Sequence, residues 1–340
     1  AKPLSRNGGA PAVVRIRNDT VAGFEIRVQE WGDPDGYHNP ENVGYIVMEK
    51  GVYALNDGTL LEAGIFEAKD ECTVDFNQSY NQTPVVMCSV ATEREIDAVT
   101  GRIYDITTEA CRFQLQEQEA NDGHSVNETV CYIAWEPSAG MVGDYMYRVD
   151  RTPDEITDDF EYLPFNQQFD GPPIFLADMQ TRDGADTANI RWCNKDASGV
   201  DVQIDEETSR DGETSHTTEV VGYLAINPVD VLDVDVDMDM DSDGLSDIEE
   251  TGTYGTDPAQ ADTDGDGIVN ILDPDADNDG VNDGVEIDGG QDPANPADNG
   301  GDDAPAAGAP AFETAEIEID HQWSYVALTN DYTQPVVVAK

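Results

Sequence analysis

Apolar and polar residues alternate with a period of two along most of this chain. Phe24, Ile26 and Val28, then Phe113 and Leu115, then Val200, Val202 and Ile204 each mark one face of a segment with polar residues between. Such alternation, rich in β-branched and aromatic residues and bounded by Gly, Asp and Asn turns, reads as antiparallel strands. An acidic position follows each segment, at Glu30, Glu119 and Glu206. Each then closes on ENVGYIVME, ETVCYIAWE or EVVGYLAIN, beginning at Glu41, Glu128 and Glu219. No segment carries a convincing helical period. The pattern predicts an all-β protein of tandem antiparallel β-sandwich or jelly-roll domains.

The strands repeat. Complete copies run over about 64–137 and 146–228, with first halves FNQSYNQTPVVMC (Phe76 to Cys88) and FNQQFDGPPIFLA (Phe165 to Ala177). The C-terminal LTNDYTQPVVVA (Leu328 to Ala339) matches these first halves, with prolines aligned at Pro84, Pro173 and Pro335. The N-terminal piece, 1–51, matches the second halves. The C-terminal piece, 315–340, joined to it would give 77 residues, inside the 74–83 residues of the complete copies. Half a sandwich has unpaired edges and an uncovered apolar face, so each end needs a partner. Two arrangements satisfy this: a covalent junction in a longer tandem protein, or strands donated between separate subunits.

The expected organisation is therefore an incomplete acceptor domain over 1–51, sandwich repeats over 52–140 and 141–228, an acidic linker over 229–303 and donor strands over 304–340. Ile317, Ile319, Trp323, Leu328, Tyr332, Val336 and Val338 would supply the apolar face missing from 1–51 of a neighbouring copy.

Charge changes the picture only in the linker. The chain carries a net charge of −55, and Asp230 to Asp303 holds 25 acidic residues with no Lys or Arg. That sign excludes nucleic acid as a partner. Within the linker the order of the acids is specific. Asp237, Asp239, Asp241 and Asp243 precede Asp247 and Glu250. Asp262, Asp264 and Asp266 precede Asn270 and Asp273, and Asp275, Asp277 and Asp279 precede Asp283 and Glu286. Gly244, Gly267 and Gly280 follow these runs of alternate acids. Ca²⁺ takes six to eight oxygen ligands at roughly 2.3–2.6 Å, and alternate acids on a tight Gly-turned loop offer such a set. Several calcium ions are the expected cofactors. Over about 235–290 the segment resembles thrombospondin type 3 calcium repeats, which implies an extended rod around a row of ions. The stretch before Asp239, DVLDVDVDMDMD, departs from that pattern and reads as a strand with an acidic face or as an extra site. Through their strand–Pro–strand and closing GYLA-type motifs, the β repeats resemble H-type lectin-like modules of secreted and surface proteins.

Other candidate chemistry is sparse. His38, His124 and His216 precede Glu41, Glu128 and Glu219 in related places, a recurrence that favours a structural fastening over a metal or saccharide site. No nucleophile elbow, P-loop or His-Glu-x-x-His motif occurs, and no enzyme is expected. Cys72, Cys88, Cys111 and Cys131 fall in one repeat and predict two disulfides, with Cys193 left over and buried. Asn18, Asn77, Asn81 and Asn127 stand in glycosylation sequons. No apolar run is long enough to span a membrane. The reading is an extracellular structural fibre, a linear homopolymer formed by strand complementation and stiffened by calcium. The competing reading is a surface lectin or adhesin that binds glycans on a calcium-stiffened stalk.

Overall fold

The alternating segments form strands, and among the described residues every β-strand except one pairs antiparallel. The computed structural model describes residues 4–31, 38–55, 57–120, 126–143, 145–210, 212, 214–228, 312–330 and 332–339. Residues 1–229 and 309–340 make one compact unit, and residues 230–308 a second. All of the strands below belong to the first.

In chain order the head contributes β1 (Leu4–Ser5), β2 (Ala12–Thr20), β3 (Gly23–Glu30) and β4 (Glu41–Glu49). The middle module follows with β5 (Gly51–Ala54), β6 (Leu60–Ala68), β7 (Glu71–Asp75), β8 (Val85–Val90), β9 (Val99–Tyr104), β10 (Ala110–Glu117) and β11 (Glu128–Trp135). The third module has β12 (Ser138–Val142), β13 (Tyr145–Arg151), β14 (Glu161–Pro164), β15 (Ile174–Met179), β16 (Ala188–Cys193), β17 (Gly199–Glu206) and β18 (Val221–Pro228). The tail adds β19 (Phe312–Ile319), β20 (Ser324–Ala327) and β21 (Pro335–Ala339).

Each module has two sheets. The outer sheets run β2-β3-β20, β7-β10-β9 and β1-β16-β17-β14, and the inner sheets run β19-β4-β21, β5-β6-β11-β8 and β12-β13-β18-β15. Because β12 belongs to the third inner sheet, the expected boundary at 140/141 falls inside a strand. The head also reaches across: β1 adds parallel to β16 of the third module.

Each pair of sheets encloses its own apolar core. Phe24 and Ile26 meet Val43 and Val47 in the head, and Phe113 and Leu115 meet Val86 and Val130 in the middle. Val202 and Ile204 meet Phe175 and Tyr223 in the third. The opposite faces of the inner sheets meet in a fourth core shared by all three modules. Ile46 and Met48 of β4, Ile133 and Trp135 of β11, and Leu224 and Ile226 of β18 occupy the same register positions there. Burial on both faces explains why YIVM, YIAW and YLAI are continuous apolar runs, whereas the outer strands alternate.

Shared packing also solves an edge problem. β21, β8 and β15 each end an inner sheet, and an open edge invites pairing with other chains. Side chains of the next module cap two of these edges. Asp178 accepts from the Cys88 amide at 3.0 Å, Gln180 accepts from the Val86 amide at 2.9 Å, and Ser89 Oγ accepts from the Ala339 amide at 3.0 Å.

Candidate assembly site at the head module

Without the tail, the inner sheet of the head would be the single strand β4. β19 pairs with it along one side from Phe312↔Met48 to Ile319↔Glu41, and β21 along the other from Pro335↔Glu49 to Ala339↔Tyr45. β20 extends the outer sheet, from Ser324↔Ile26 to Ala327↔Gly23. The expectation that the tail completes the head therefore matches the pairing. In this structure, however, the strands come from the same chain and not from a neighbouring subunit. The 79 residues of 230–308 join them to the body. Closing a loop of that length costs only about 4 kcal/mol on a (3/2)RT ln n scaling, so completion within one chain is energetically accessible.

The tail residues divide by face. Ile319 and Tyr332 are buried in the head core, with Ile317 and Leu328 packed against it. Val336 and Val338 turn the other way, into the core shared by the three modules. Their neighbours Val337 and Ala339 fill the head core instead, and Val326 packs against it; the sequence reading passed over all three. Trp323 does not join an apolar face. Its ring lies under the guanidinium groups of Arg17 and Arg27, at 4.0 and 4.6 Å, a cation–π arrangement on the outer sheet. β19 begins at Phe312, inside the expected donor segment 304–340 and three residues before the piece 315–340 that matches the repeat.

Three buried arginines fasten the modules in a cycle, and sequence reasoning missed them. Arg191 of the third module reaches Glu41 of the head at 2.8 Å and the Ser5 carbonyl at 2.9 Å. Arg102 of the middle module pairs with Glu219 of the third and donates to the Thr181 carbonyl at 3.0 Å. Arg15 of the head donates to the Asp97, Thr92 and Glu95 carbonyls of the middle module. All three are fully buried, and burial lowers the pKa of each. The signal was present in the aligned motifs RIRN, RIYD and RWCN, where one arginine recurs three residues before a left-handed Asn or Asp. Asn18, Asp105 and Asn194 take φ of 52°, 48° and 50° there.

The glutamate that opens each closing strand collects the same set of donors. Glu41 accepts from Ser5 Oγ at 2.6 Å and from the Asn7 and Gly8 amides, both at 2.8 Å. Glu128 accepts from Thr92 Oγ1 and the Arg94 and Glu95 amides. Glu219 accepts from Thr181 Oγ1 at 2.5 Å and the Asp183 and Gly184 amides, both at 2.9 Å.

The histidines bridge these glutamates to the outer sheet. His38 lies 2.6 Å from Glu30 and 3.0 Å from Glu41, and His216 lies 2.5 Å from Glu206 and 3.2 Å from Glu219. The ring of each fills the space over a glycine: a Cβ on Gly8 would fall 2.9 Å from His38, and one on Gly184 would fall 2.5 Å from His216. Burial opposes a charged His38, but its hydrogen bonds to Glu41 and Glu30 win and raise its pKa. Burial likewise opposes ionised Glu219, yet His216, Arg102 and Thr181 bring it down to about 2. His124 lies outside the described residues. The strand-ending acid of the middle module is Glu117, level with Glu30 and Glu206, and not Glu119 as the sequence suggested. Glu119 accepts from the Thr187 amide across the seam. The carboxylates of Glu95, Asp97 and Glu117 converge within 4.8 Å of one another.

All five cysteines are free thiols. The expected pairing fails first at Cys131, which faces the shared core and contacts Asp19 at 3.9 Å, while Cys88 and Cys111 face the core of the middle module. Burial raises the Cys111 and Cys131 pKa values, and Cys193 is half-buried. Burial also pushes Asp19 up to about 7. Asn18, Asn77, Asn81 and Asn127 are all exposed. The sixteen expected calcium ligands, Asp237 to Glu286, lie outside the described residues. Among the described residues, no helix is long and apolar enough to cross a membrane.

No family model matches this chain, and no solved structure matches it. Among curated proteins, halomucin of Haloquadratum walsbyi is 31% identical over 220 residues, which is 63% of this chain. The match spans about 2% of halomucin's own length.

Proposed function

We propose that this chain is a structural segment of an extracellular surface protein, and that its tail strands join copies into a fibre by β-strand complementation. One observation carries the reading: β19 and β21 flank β4, so the head has an inner sheet only when residues 312–339 are supplied. Strands that complete a head in their own chain present the same register and the same apolar face to the head of another. The modular body, with its buried arginine fastenings and no expected catalytic motif, suits a load-bearing role. The similarity to halomucin over 63% of the chain supports a surface location.

Calcium belongs to the same proposal. Bound at the alternating acids between Asp237 and Glu286, it would neutralise mutual repulsion and hold the segment extended. An extended segment would carry the tail away from its own head and toward a neighbour's. The exposed sequons at Asn18, Asn77, Asn81 and Asn127 are open to glycans in a secreting host.

The test is electron microscopy of the purified chain with calcium, beside a chain lacking 312–340. Filaments are expected from the first alone, and a peptide of 312–340 should cap free heads. Filaments of the same axial repeat from the shortened chain would refute strand complementation.

A further inference from the structure

The seams between modules repeat one arrangement, and the seam of head and middle module departs from it at two aligned positions. The residue after the left-handed Asn or Asp is Asp19 in the head, Ile106 in the middle module and Lys195 in the third. On the next module, the strand beside the closing strand carries Ile65, Arg151 and Glu316 at one register position, opposite Cys131, Gly222 and Gly44. At the seam of third module and head, Lys195 and Glu316 pair with each other. At the seam of middle and third modules, Ile106 carries no charge and Arg151 donates to the Thr83 carbonyl. At the seam of head and middle module, the acid Asp19 shares a cavity with the apolar Ile65.

The second departure is Cys131. A Cβ on Gly44 would fall 2.8 Å from the Phe175 carbonyl oxygen, and one on Gly222 would fall 2.7 Å from the Val85 side chain. Both closing strands therefore lie hard against the edge strand of a neighbouring module, where glycine alone fits without a shift. Cys131 carries a side chain at that place, beside the Val337 backbone of β21, and needs room that glycine does not. A cavity of about 670 Å³ opens at this seam, within the size range of small-molecule sites. Half-buried Asp19 lines it with Val21, Ile65 and Pro335, and exposed Thr333 and Lys50 line it too. Among the described residues Asp19 has no ion-pair partner. Its Oδ1 accepts no hydrogen bond, and its Oδ2 has only the weak Cys131 thiol donor at 3.9 Å.

We infer that this cavity binds a primary ammonium group on a short apolar stem, with the Asp19 carboxylate as its counter-ion. A carboxylate withdrawn from water without a hydrogen bond is costly, and an ammonium supplies both the opposite charge and the missing donor. The walls at Val21, Ile65 and Pro335 suit an aliphatic stem, which a bare metal ion would leave uncovered. Lys195 shows the same chemistry two modules away, its buried side chain placing an ammonium against Glu316. Tail strands of either origin would form the same cavity, because the register Pro335↔Glu49 fixes Thr333 and Pro335 beside it.

Titration calorimetry of the full chain with n-butylammonium chloride, at constant ionic strength, tests it. Saturable binding is expected, weakened about tenfold or more by Asp19→Asn. Burial pushes the Asp19 pKa up to about 7, and the titratable side chains around it are Cys131 and Lys50. A cation binds the ionised carboxylate, so affinity should rise about tenfold per pH unit below that value and level off above it. Asp19→Asn should flatten this profile. The profile is read on the unsubstituted chain and stands even if the variant fails to fold. Absence of binding, an affinity independent of pH, or unchanged binding in folded Asp19→Asn would overturn the inference. Potassium competing as well as butylammonium would show a site that reads charge alone, and would overturn it too.

Discussion

The head and the third module reach the same two-sheet arrangement by different routes. The third module draws its inner sheet from one stretch, residues 138–228, and among the described residues gains only β1 from outside. The head draws β2, β3 and β4 from one end of the chain and β19, β20 and β21 from the other. The contiguous module can form its core before the chain is complete. The head cannot, and the shared core cannot either, because Val336 and Val338 line it. Dependence on a distant segment makes the head the part of the molecule at which stability and exchange meet.

The largest effect that would break the contrast is removal of 312–340. The head should lose its protected amides while the β10 and β17 regions keep theirs, as hydrogen exchange would show. Uniform loss throughout would mean that the modules are one cooperative unit.

Next in size is Arg191→Ala. Leaving buried Glu41 without its arginine should destabilise the protein by about 3–5 kcal/mol, read from denaturant unfolding. Arg102→Ala should cost a similar amount through Glu219, but at the seam that contains no tail strand. Unequal losses would show that the cycle is not balanced. Met48→Ala, which opens the shared core beside β21, should cost about 2–5 kcal/mol.

Base, more than acid, should separate the two modules further. Glu219 has its pKa lowered from 4.5 to about 2 in the folded state, so its stabilisation is present above pH 4.5 and is lost as pH falls through about 2. His38 of the head has its pKa raised from 6.5. Its stabilisation is full below pH 6.5 and is lost as pH rises through the folded value. Against burial, His38 and Arg191 lower the Glu41 pKa of the head as well, so thermal unfolding against pH should weaken both modules at low pH and the head at high pH, and His38→Ala should blunt the alkaline loss.

The smallest expected effect is at Lys195, which pairs with Glu316 of the tail. Lys195→Ala leaves a partly exposed Glu316 that water can reach and should cost less than either arginine substitution, visible as a slight loss of protection in β19. The same place at the seam of head and middle module holds Asp19 against the Cys131 thiol instead, without a lysine.

Much of this was legible from the chain itself. Alternation gave the strands, and the aligned prolines and closing motifs gave the repeat and the match of tail to head. The direction of Val336 and Val338 was not legible, because a strand buried on both faces has no polar residue to mark which face is which. Trp323 misled for a related reason: a large aromatic ring is apolar by composition, yet here two arginines take it as a cation–π partner. Arg15, Arg102 and Arg191 recur in register, but a recurring cation on a strand reads as a solvated face until its partner on another module is seen. The cysteine expectation failed because spacing along the chain does not report the side of β11 that Cys131 faces.

The ion pair between Lys195 and Glu316 also offers the most direct test of strand exchange, because it joins body to tail. Equal amounts of isotopically labelled and unlabelled chain would be unfolded together, refolded with calcium and treated with a zero-length carbodiimide cross-linker. Mass spectrometry would then read the peptides joined through these two residues. The account predicts mixed-isotope pairs in the polymeric fraction. Same-isotope pairs alone would show that every tail stays on its own head, and would contradict fibre formation by strand complementation.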